Sequence, residues 1–186
     1  MLRRHLPAAM RGWIFDRCSL TSRLQQACFA LDGESRFSVR VLSQSRERPL
    51  PSERLLLGMR QSDYALVRQV QLQCGDQVWV FARTVVPLRS LRGRAKRLAN
   101  LGSRPLGAML FADKSVRRGR MQVARLLPGD TVFNHAIGRM QNVPAEVWGR
   151  RSLFHYAGQP LLVNEIFLPG VGRCLPRCGV KSSQAA

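Results

Sequence analysis

Two hydrophobic segments joined by a short turn place the strongest constraint on the fold. Residues 64–73 read YALVRQVQLQ and residues 78–86 read VWVFARTVV, with Cys74 to Gln77 between them. The connecting residues include Gly and Asp, which favour tight turns, and the flanking segments are rich in β-branched and aromatic residues. This pattern predicts an antiparallel β-hairpin.

Other segments of the chain also have the pattern of β-strands. Residues 151–156 and 160–168 flank Ala157-Gly158-Gln159 and predict a second hairpin, while residues 37–42 and 121–127 predict further strands. The total is about six strands with three or four helices, without alternation of strand and helix. The sequence therefore predicts an α+β fold: one antiparallel sheet with helices on one face.

Helix signals occur in four segments. Ser19 or Thr21 is a suitable N-cap for a helix that runs to residue 29, and Pro105 suits the first turn of a short helix over 105–111. The apolar spacing in 88–101 predicts a helix with solvated arginines, and 132–140 is a further helical segment. Residues 46–51 contain two prolines and predict a loop.

The net charge is unusual for a chain of 186 residues. Thirty Lys and Arg residues stand against eleven Asp and Glu residues, which gives +19. This excess raises nucleic acid, a membrane surface or a small anionic substrate as partners. Only three of the bases are lysines, and no run of five or six like charges forms a basic tail. The length suits one domain, expected over 1–169, with a mobile tail over 170–186.

The sequence contains no segment typical of a membrane span or an export signal. No stretch has eighteen consecutive apolar residues, and the first fifteen residues lack a continuous apolar core. The odd cysteine count suggests reduced thiols in a cytoplasmic protein. A metal site is not expected, because the histidines are scattered and few ligands lie near the last two cysteines. The five cysteines are Cys18, Cys28, Cys74, Cys174 and Cys178.

Charged residues inside predicted strands are the best candidates for function. Arg68 shares a strand face with Leu66, Val70 and Leu72, because side chains alternate along a strand. A buried guanidinium needs a paired carboxylate or a ligand anion. Arg83 raises the same question in a strand that is apolar on both faces, and a sheet-edge or supporting role is expected for it.

Glu165 shows the same anomaly with the opposite sign. It shares its face with Leu161, Val163 and Phe167 in the last predicted strand. A desolvated carboxylate can serve as an acid, a base or a hydrogen-bond anchor. Two interpretations remain open: Arg68 and Glu165 pair with each other, or they line a pocket that takes an anion at one end and a polar group at the other.

Several motifs occur in an order that resembles the chorismate lyase family, over roughly residues 13 to 169. None is decisive by itself, but the ordered set is specific. The motifs are Ser19-Leu20-Thr21, Arg68 within its strand, Ala82-Arg83-Thr84-Val85-Val86-Pro87, Pro105-Leu106-Gly107 with Leu110-Phe111, Trp148-Gly149-Arg150-Arg151-Ser152, and Gly158 to Pro169.

The resemblance implies a fold and a set of ligand contacts. The fold would be a six-stranded antiparallel sheet with helices on one side and a ligand buried under helical flaps. Arg68 would grip the ring carboxylate, and the backbone amide of Leu106 would contact the same group. Glu165 would lie at the hydroxyl end of the ring, and Leu20 would supply another backbone contact. Arg68 and Glu165 would then be the catalytic residues.

The implied activity is removal of pyruvate from chorismate to give 4-hydroxybenzoate, the first committed step towards the ubiquinone head group. We expect no organic cofactor, no metal, no nucleic-acid partner and no membrane span, and we expect a cytoplasmic monomer. Whether Glu165 is a base or only orients the substrate stays open. The alternatives are a basic nucleic-acid-binding protein, or a related domain that binds an aromatic acid without turnover.

Overall fold

A computed structural model describes residues 6–16, 18–34, 36–138 and 140–173. Six antiparallel strands form one sheet in the order β1-β2-β3-β6-β5-β4. They are β1 (Phe37–Glu47), β2 (Ala65–Cys74), β3 (Gln77–Pro87), β4 (Arg117–Leu126), β5 (Val147–Tyr156) and β6 (Gln159–Phe167). The predicted α+β fold with one antiparallel sheet of six strands is confirmed.

Five α-helices and three 3-10 helices accompany the sheet in the described residues. The α-helices are α1 (Ala8–Ile14), α2 (Leu20–Asp32), α3 (Pro51–Leu57), α4 (Leu106–Ala112) and α5 (Thr131–Ile137). The 3-10 helices cover Leu88–Ser90, Gly93–Asn100 and Pro169–Arg173. As predicted, Ser19 caps α2, because its hydroxyl oxygen accepts a hydrogen bond from the Ser22 amide at 3.4 Å.

Both predicted hairpins are present. In the first hairpin, Ala65 of β2 lies opposite Pro87 of β3, and the pairing continues to Cys74 opposite Gln77. In the second, the pairing of β5 with β6 continues to Tyr156 opposite Gln159. The second turn has positive φ at both central residues, Ala157 (50°) and Gly158 (74°). That geometry matches the right-handed twist of the two strands, although Ala157 adopts it at some steric cost.

Helices cover both faces of the sheet. α1, α2, α4 and the 3-10 helix Gly93–Asn100 pack on one face, which we call the cavity face, against residues such as Val70, Ala82 and Val163. The opposite face carries the two short helices α3 and α5, which pack against Phe81, Val85 and their neighbours. The cavity face therefore holds most of the helical cover, and α3 and α5 on the opposite face are a correction to the prediction of helices on one face only.

Two local predictions need correction. The segment 88–101 forms two 3-10 helices rather than one α-helix. The break lies at residues 91–92, and the second helix begins at Gly93, whose φ is 51°. Its burial pattern is nevertheless as predicted, since Ala95 and Leu98 are buried and the basic residues are exposed. The predicted loop over 46–51 is shorter, because α3 begins at Pro51 and Glu53 accepts a hydrogen bond from the Leu50 amide.

A disulfide joins α2 to β2. Cys28 and Cys74 are bonded, with a Cα–Cα distance of 5.5 Å, and both are buried. The expectation of reduced thiols is therefore wrong for these two residues. Cys18 is exposed, whereas Cys174 and Cys178 lie outside the described residues.

The last described residues pack on the core. Pro169–Arg173 forms a short 3-10 helix, and Val171 is buried among residues of the cavity face. The remainder of the expected tail, 174–186, lies outside the part of the chain that the structure describes.

Arg83 takes part in a buried ion pair on the opposite face. Its Nε lies 2.9 Å from Oε1 of Glu53 and its Nη2 lies 3.2 Å from Oε2, while Asn164 donates to the same carboxylate at 3.1 Å. Arg83 and Glu53 are each no more than 2% exposed. β3 is a central strand, so the sheet-edge interpretation of Arg83 is wrong: it anchors α3 to the sheet.

Replacing Glu53 with Gln is expected to lower the free energy of unfolding by about 3–5 kcal/mol, because the buried Arg83 charge loses its partner. Urea denaturation measures this change. Glu47→Gln is the matched control, because Glu47 lies 3.7 Å from Arg83 and is 35% exposed. Equal losses in the two variants would contradict the assignment of Glu53 as the principal partner.

Replacing Cys28 with Ser is expected to lower the free energy of unfolding by about 2–4 kcal/mol, because the unfolded chain loses a cross-link across 46 residues. Thermal or urea unfolding measures the loss, with Cys18→Ser as the control. Peptide mapping without reductant should recover the Cys28 and Cys74 peptides linked. Recovery of both as alkylated thiols would show that the bond does not form in solution.

Candidate active site

A cavity lies on the cavity face between the central strands and helices α2 and α4. Its lining is mostly apolar, and Arg68 and Glu165 are the only charged residues among the described residues that line it. The other lining residues are Leu20, Thr21, Val39, Val70, Leu72, Ala82, Thr84, Pro105, Leu106, Gly107, Leu110, Phe111, Phe154 and Val163. An apolar cavity with a few convergent polar groups is the usual form of a small-molecule site.

The structure brings all four residues singled out from the sequence to this cavity: Leu20, Arg68, Leu106 and Glu165. Arg68 and Glu165 are not paired with each other, because Glu165 forms its ion pair with Arg150. The interpretation in which Arg68 and Glu165 neutralise each other inside the sheet is therefore wrong. The alternative, in which they lie at different ends of one pocket, agrees with the structure.

The sheet register sets the separation of the two charges. Arg68 on β2 pairs with Thr84 on β3, which pairs with Val163 on β6, and Glu165 is two residues further along β6. Strands lie about 4.8 Å apart and rise about 3.3 Å per residue, so the two Cα atoms are separated by about 12 Å. Two long side chains directed into this gap leave room for one small ring between them.

Arg68 is buried, and no carboxylate among the described residues pairs with it. Its Nη2 donates to the carbonyl oxygens of Gly102 (2.8 Å) and Arg104 (3.3 Å), and its Nε has no hydrogen-bond partner. Burial lowers the pKa of this guanidinium from its ordinary value, although an arginine stays protonated in proteins. A ligand carboxylate at the Nε edge would relieve this desolvation and would receive a charge-assisted hydrogen bond.

The two candidate backbone contacts lie at helix starts. Leu20 is the first residue of α2 and Leu106 is the first residue of α4. Backbone amides in the first turn of a helix lack an acceptor within the helix, so they are available to a ligand. The two helices touch at this point, because a Cβ atom on Gly107 would lie 2.9 Å from Oγ1 of Thr21. Glycine at 107 thus allows the two helices to close over the sheet.

Glu165 is held from behind by Arg150, a residue whose role the sequence did not reveal. Arg150 Nε lies 2.5 Å from Oε2 of Glu165, and its Nη1 donates to the carbonyl oxygens of Trp13 (3.0 Å), Ile14 (3.2 Å) and Asp16 (2.6 Å). Arg150 directly precedes the strand predicted over 151–156, so alternation did not assign it to a face, and no sequence pattern could identify its partners.

Other types of site are not indicated in the described residues. No group of three or more His, Cys, Asp or Glu side chains there could hold a metal ion. No helix in the same part of the chain is long and apolar enough to cross a membrane.

The fold and the cavity define a single-sheet α+β protein with an internal cavity that one arginine and one carboxylate line. Residues 3–173 match the family described as "Chorismate lyase". A protein of Methylococcus capsulatus named "Probable chorismate pyruvate-lyase" is 45% identical over 162 residues, which cover 87% of this chain and 96% of that protein. The chain belongs to the chorismate lyase family.

A second relative and two solved structures agree with this placement. A protein of Aromatoleum aromaticum with the same name is 40% identical, covering 91% of this chain and 89% of that protein. PhnF from Mycobacterium smegmatis superposes with a TM-score of 0.55 at 10% identity, covering 78% and 63% of the two chains. The effector-binding domain of the Bacillus subtilis trehalose repressor superposes with a TM-score of 0.51 at 7% identity, covering 70% of this chain and 89% of that domain. The structural similarities concern the fold alone, and family membership favours an enzyme over a nucleic-acid-binding protein.

Proposed function

We propose that this protein is a chorismate pyruvate-lyase, which converts chorismate into 4-hydroxybenzoate and pyruvate. The observation that carries the proposal is the cavity of a chorismate lyase family member with one arginine and one carboxylate at separate ends. By this activity the protein would make the precursor of the ubiquinone head group.

The reaction needs little chemical assistance from a protein. Chorismate is a cyclohexadiene dianion with an enolpyruvyl ether. The ring carbon–oxygen bond of that ether breaks with its electron pair going to the oxygen, C4 loses its hydrogen as a proton, and the released enolate gains one proton at its methylene carbon to become pyruvate. Because the ring becomes aromatic, the reaction is downhill and has no redox step, so its balance calls for neither a redox cofactor nor a metal.

Arg68 would bind the ring carboxylate. Its unpartnered Nε supplies a charged donor, and its Nη2 is already held by the Gly102 and Arg104 carbonyl oxygens. The guanidinium is thus oriented before the ligand arrives, which reduces the entropy lost on binding. The backbone amide of Leu106, at the start of α4, would donate to the same carboxylate.

Glu165 would accept a hydrogen bond from the 4-hydroxyl group at the other end of the ring. Its contact with Arg150 leaves the second carboxylate oxygen available to the cavity. In this position Glu165 either takes the C4 proton or orients the ring for an internal hydrogen transfer that needs no protein base. In both cases the apolar walls exclude water and hold the reactive conformer.

The setting of the activity is also a proposal. We propose that the protein acts as a monomer in the cytoplasm, with one catalytic domain over residues 1–169. The Cys28–Cys74 disulfide is compatible with a reducing compartment, because both residues are buried and reduction requires access by an attacking thiolate. The net charge of +19 would attract a dianionic substrate.

Purified protein incubated with chorismate, without added metal or cofactor, is expected to release 4-hydroxybenzoate and pyruvate in equal amounts. Chromatography quantifies the first product, and coupled lactate dehydrogenase quantifies the second. Glu165→Gln should lower kcat by about 10²–10⁴-fold if Glu165 is a base, and by less if it only orients the ring. Folded protein that binds 4-hydroxybenzoate but yields no product would instead indicate a binding domain.

Replacing Arg68 with Ala is expected to raise the Kd for 4-hydroxybenzoate by about 10- to 100-fold, since charge-assisted hydrogen bonds are worth about 1.5–3 kcal/mol. Isothermal titration calorimetry measures the change. Arg40→Ala is the control for net charge, because Arg40 is exposed on β1 and does not line the cavity. An Arg68→Ala protein with the parent affinity would refute the carboxylate-binding role.

A further inference from the structure

Arg150 connects the candidate catalytic carboxylate to the N-terminal helix. Its side chain is 1% exposed, it contacts Glu165 through Nε, and Nη1 contacts three backbone carbonyl oxygens between residues 13 and 16. These carbonyls lie at and just after the C-terminal end of α1. Arg150 therefore bridges two parts of the chain that are more than 130 residues apart in sequence.

The α1 carbonyl oxygens and the Glu165 carboxylate are all stabilised by the positive charge of Arg150. The last carbonyl groups of a helix have no intrahelical donor and carry the negative end of the helix dipole. Glu165 is only 17% exposed, and its carboxylate accepts a charge-assisted hydrogen bond from Arg150. A buried charge is costly unless it is paired and hydrogen-bonded, and Arg150 satisfies that condition only when α1 and Glu165 are both in place.

We propose that Arg150 is a positioning residue for the lyase reaction: its guanidinium pairs with the Glu165 carboxylate and fixes the orientation of that group, and it makes that orientation depend on the docking of α1. This inference rests on the proposed function, because it assigns Glu165 its place at the ring. It adds a residue that does not itself line the cavity.

The charged groups near Glu165 are few, so the effect of Arg150 can be isolated. Arg150 faces Glu165 from β5, Arg68 lies across the cavity on β2, and Asp16 and Arg23 form an ion pair behind Arg150. Burial opposes ionisation of Asp16, but the Cys18 amide and Arg23 together hold its pKa below the usual value. Asp16 therefore stays negative over the working pH range, and the Asp16–Arg23 pair contributes no change of charge.

The test compares Arg150→Gln and Arg150→Lys with the parent through the pH dependence of kcat/KM. In the Gln variant the carboxylate loses an adjacent cation, so the acidic limb of the pH profile of kcat/KM is expected to move to higher pH. The Lys variant keeps the charge but not the four-contact geometry. The acidic limb of its pH profile should lie within about half a pH unit of that of the parent, while kcat falls and KM changes less than kcat.

Arg83→Gln is the matched control for a purely structural effect. Arg83 is equally buried and also pairs with a carboxylate, but on the opposite face of the sheet. Its loss should destabilise the fold, measured by urea denaturation, without moving the acidic limb. Two results would overturn the proposal. One is a folded Arg150→Gln protein whose acidic limb of kcat/KM lies at the same pH as in the parent, and the other is an equal shift of that limb in Arg83→Gln.

A second readout does not depend on turnover. The 13C chemical shift of the Glu165 carboxyl carbon, assigned with Glu165→Gln, is followed against pH in the parent and in Arg150→Lys and Arg150→Gln. The midpoint should rise in the Gln variant and stay near the parent in the Lys variant. If the Gln variant does not fold, the test rests on the Lys variant. The proposal is supported if this variant has a reduced kcat while the acidic limb of its pH profile and the midpoint of its Glu165 carboxyl titration stay near those of the parent. An unchanged kcat contradicts it, and a parent that lacks activity would refute the proposed function instead.

Discussion

The neutralisation of buried arginines organises this structure. Three arginines on the central strands are nearly inaccessible to water: Arg68, Arg83 and Arg150. Two of them have a carboxylate in contact, since Arg83 pairs with Glu53 and Arg150 pairs with Glu165. Among the described residues, Arg68 has only carbonyl oxygens as partners. Because a buried charge without a counter-ion is costly, the proposed contact between Arg68 and a ligand carboxylate would stabilise the bound state.

The two arginine–carboxylate pairs lie on opposite faces of the sheet. The Arg83–Glu53 pair fixes α3 to the opposite face and contributes to the stability of the fold. The Arg150–Glu165 pair lies beside the cavity that Glu165 lines. The same chemistry, an arginine bonded to a carboxylate, therefore anchors a helix on one face and lies at the cavity on the other.

Local patterns predicted the hairpins and the anomalous charges, because both depend on neighbours in sequence. Alternation alone placed Arg68 and Glu165 on apolar faces. It could not decide whether they pair, since that depends on the strand order, which inserts β3 between β2 and β6. The role of Arg150 was missed for the same reason: its partners near residue 14 are brought to it only by tertiary packing. The helix α3 escaped notice because seven residues carry too little periodicity.

Net charge proved a poor guide to function compared with desolvation. Exposed arginines, such as those of the 3-10 helix Gly93–Asn100, act through solvent in which their fields are screened over about 8–10 Å. Arg68 acts in a site of low dielectric, where one contact with a ligand is worth more than many distant charges. In the proposed function, the surface excess would raise the rate of encounter with a dianion, whereas the choice of ligand would rest on the Arg68 guanidinium and on the carboxylate of Glu165, which Arg150 contacts.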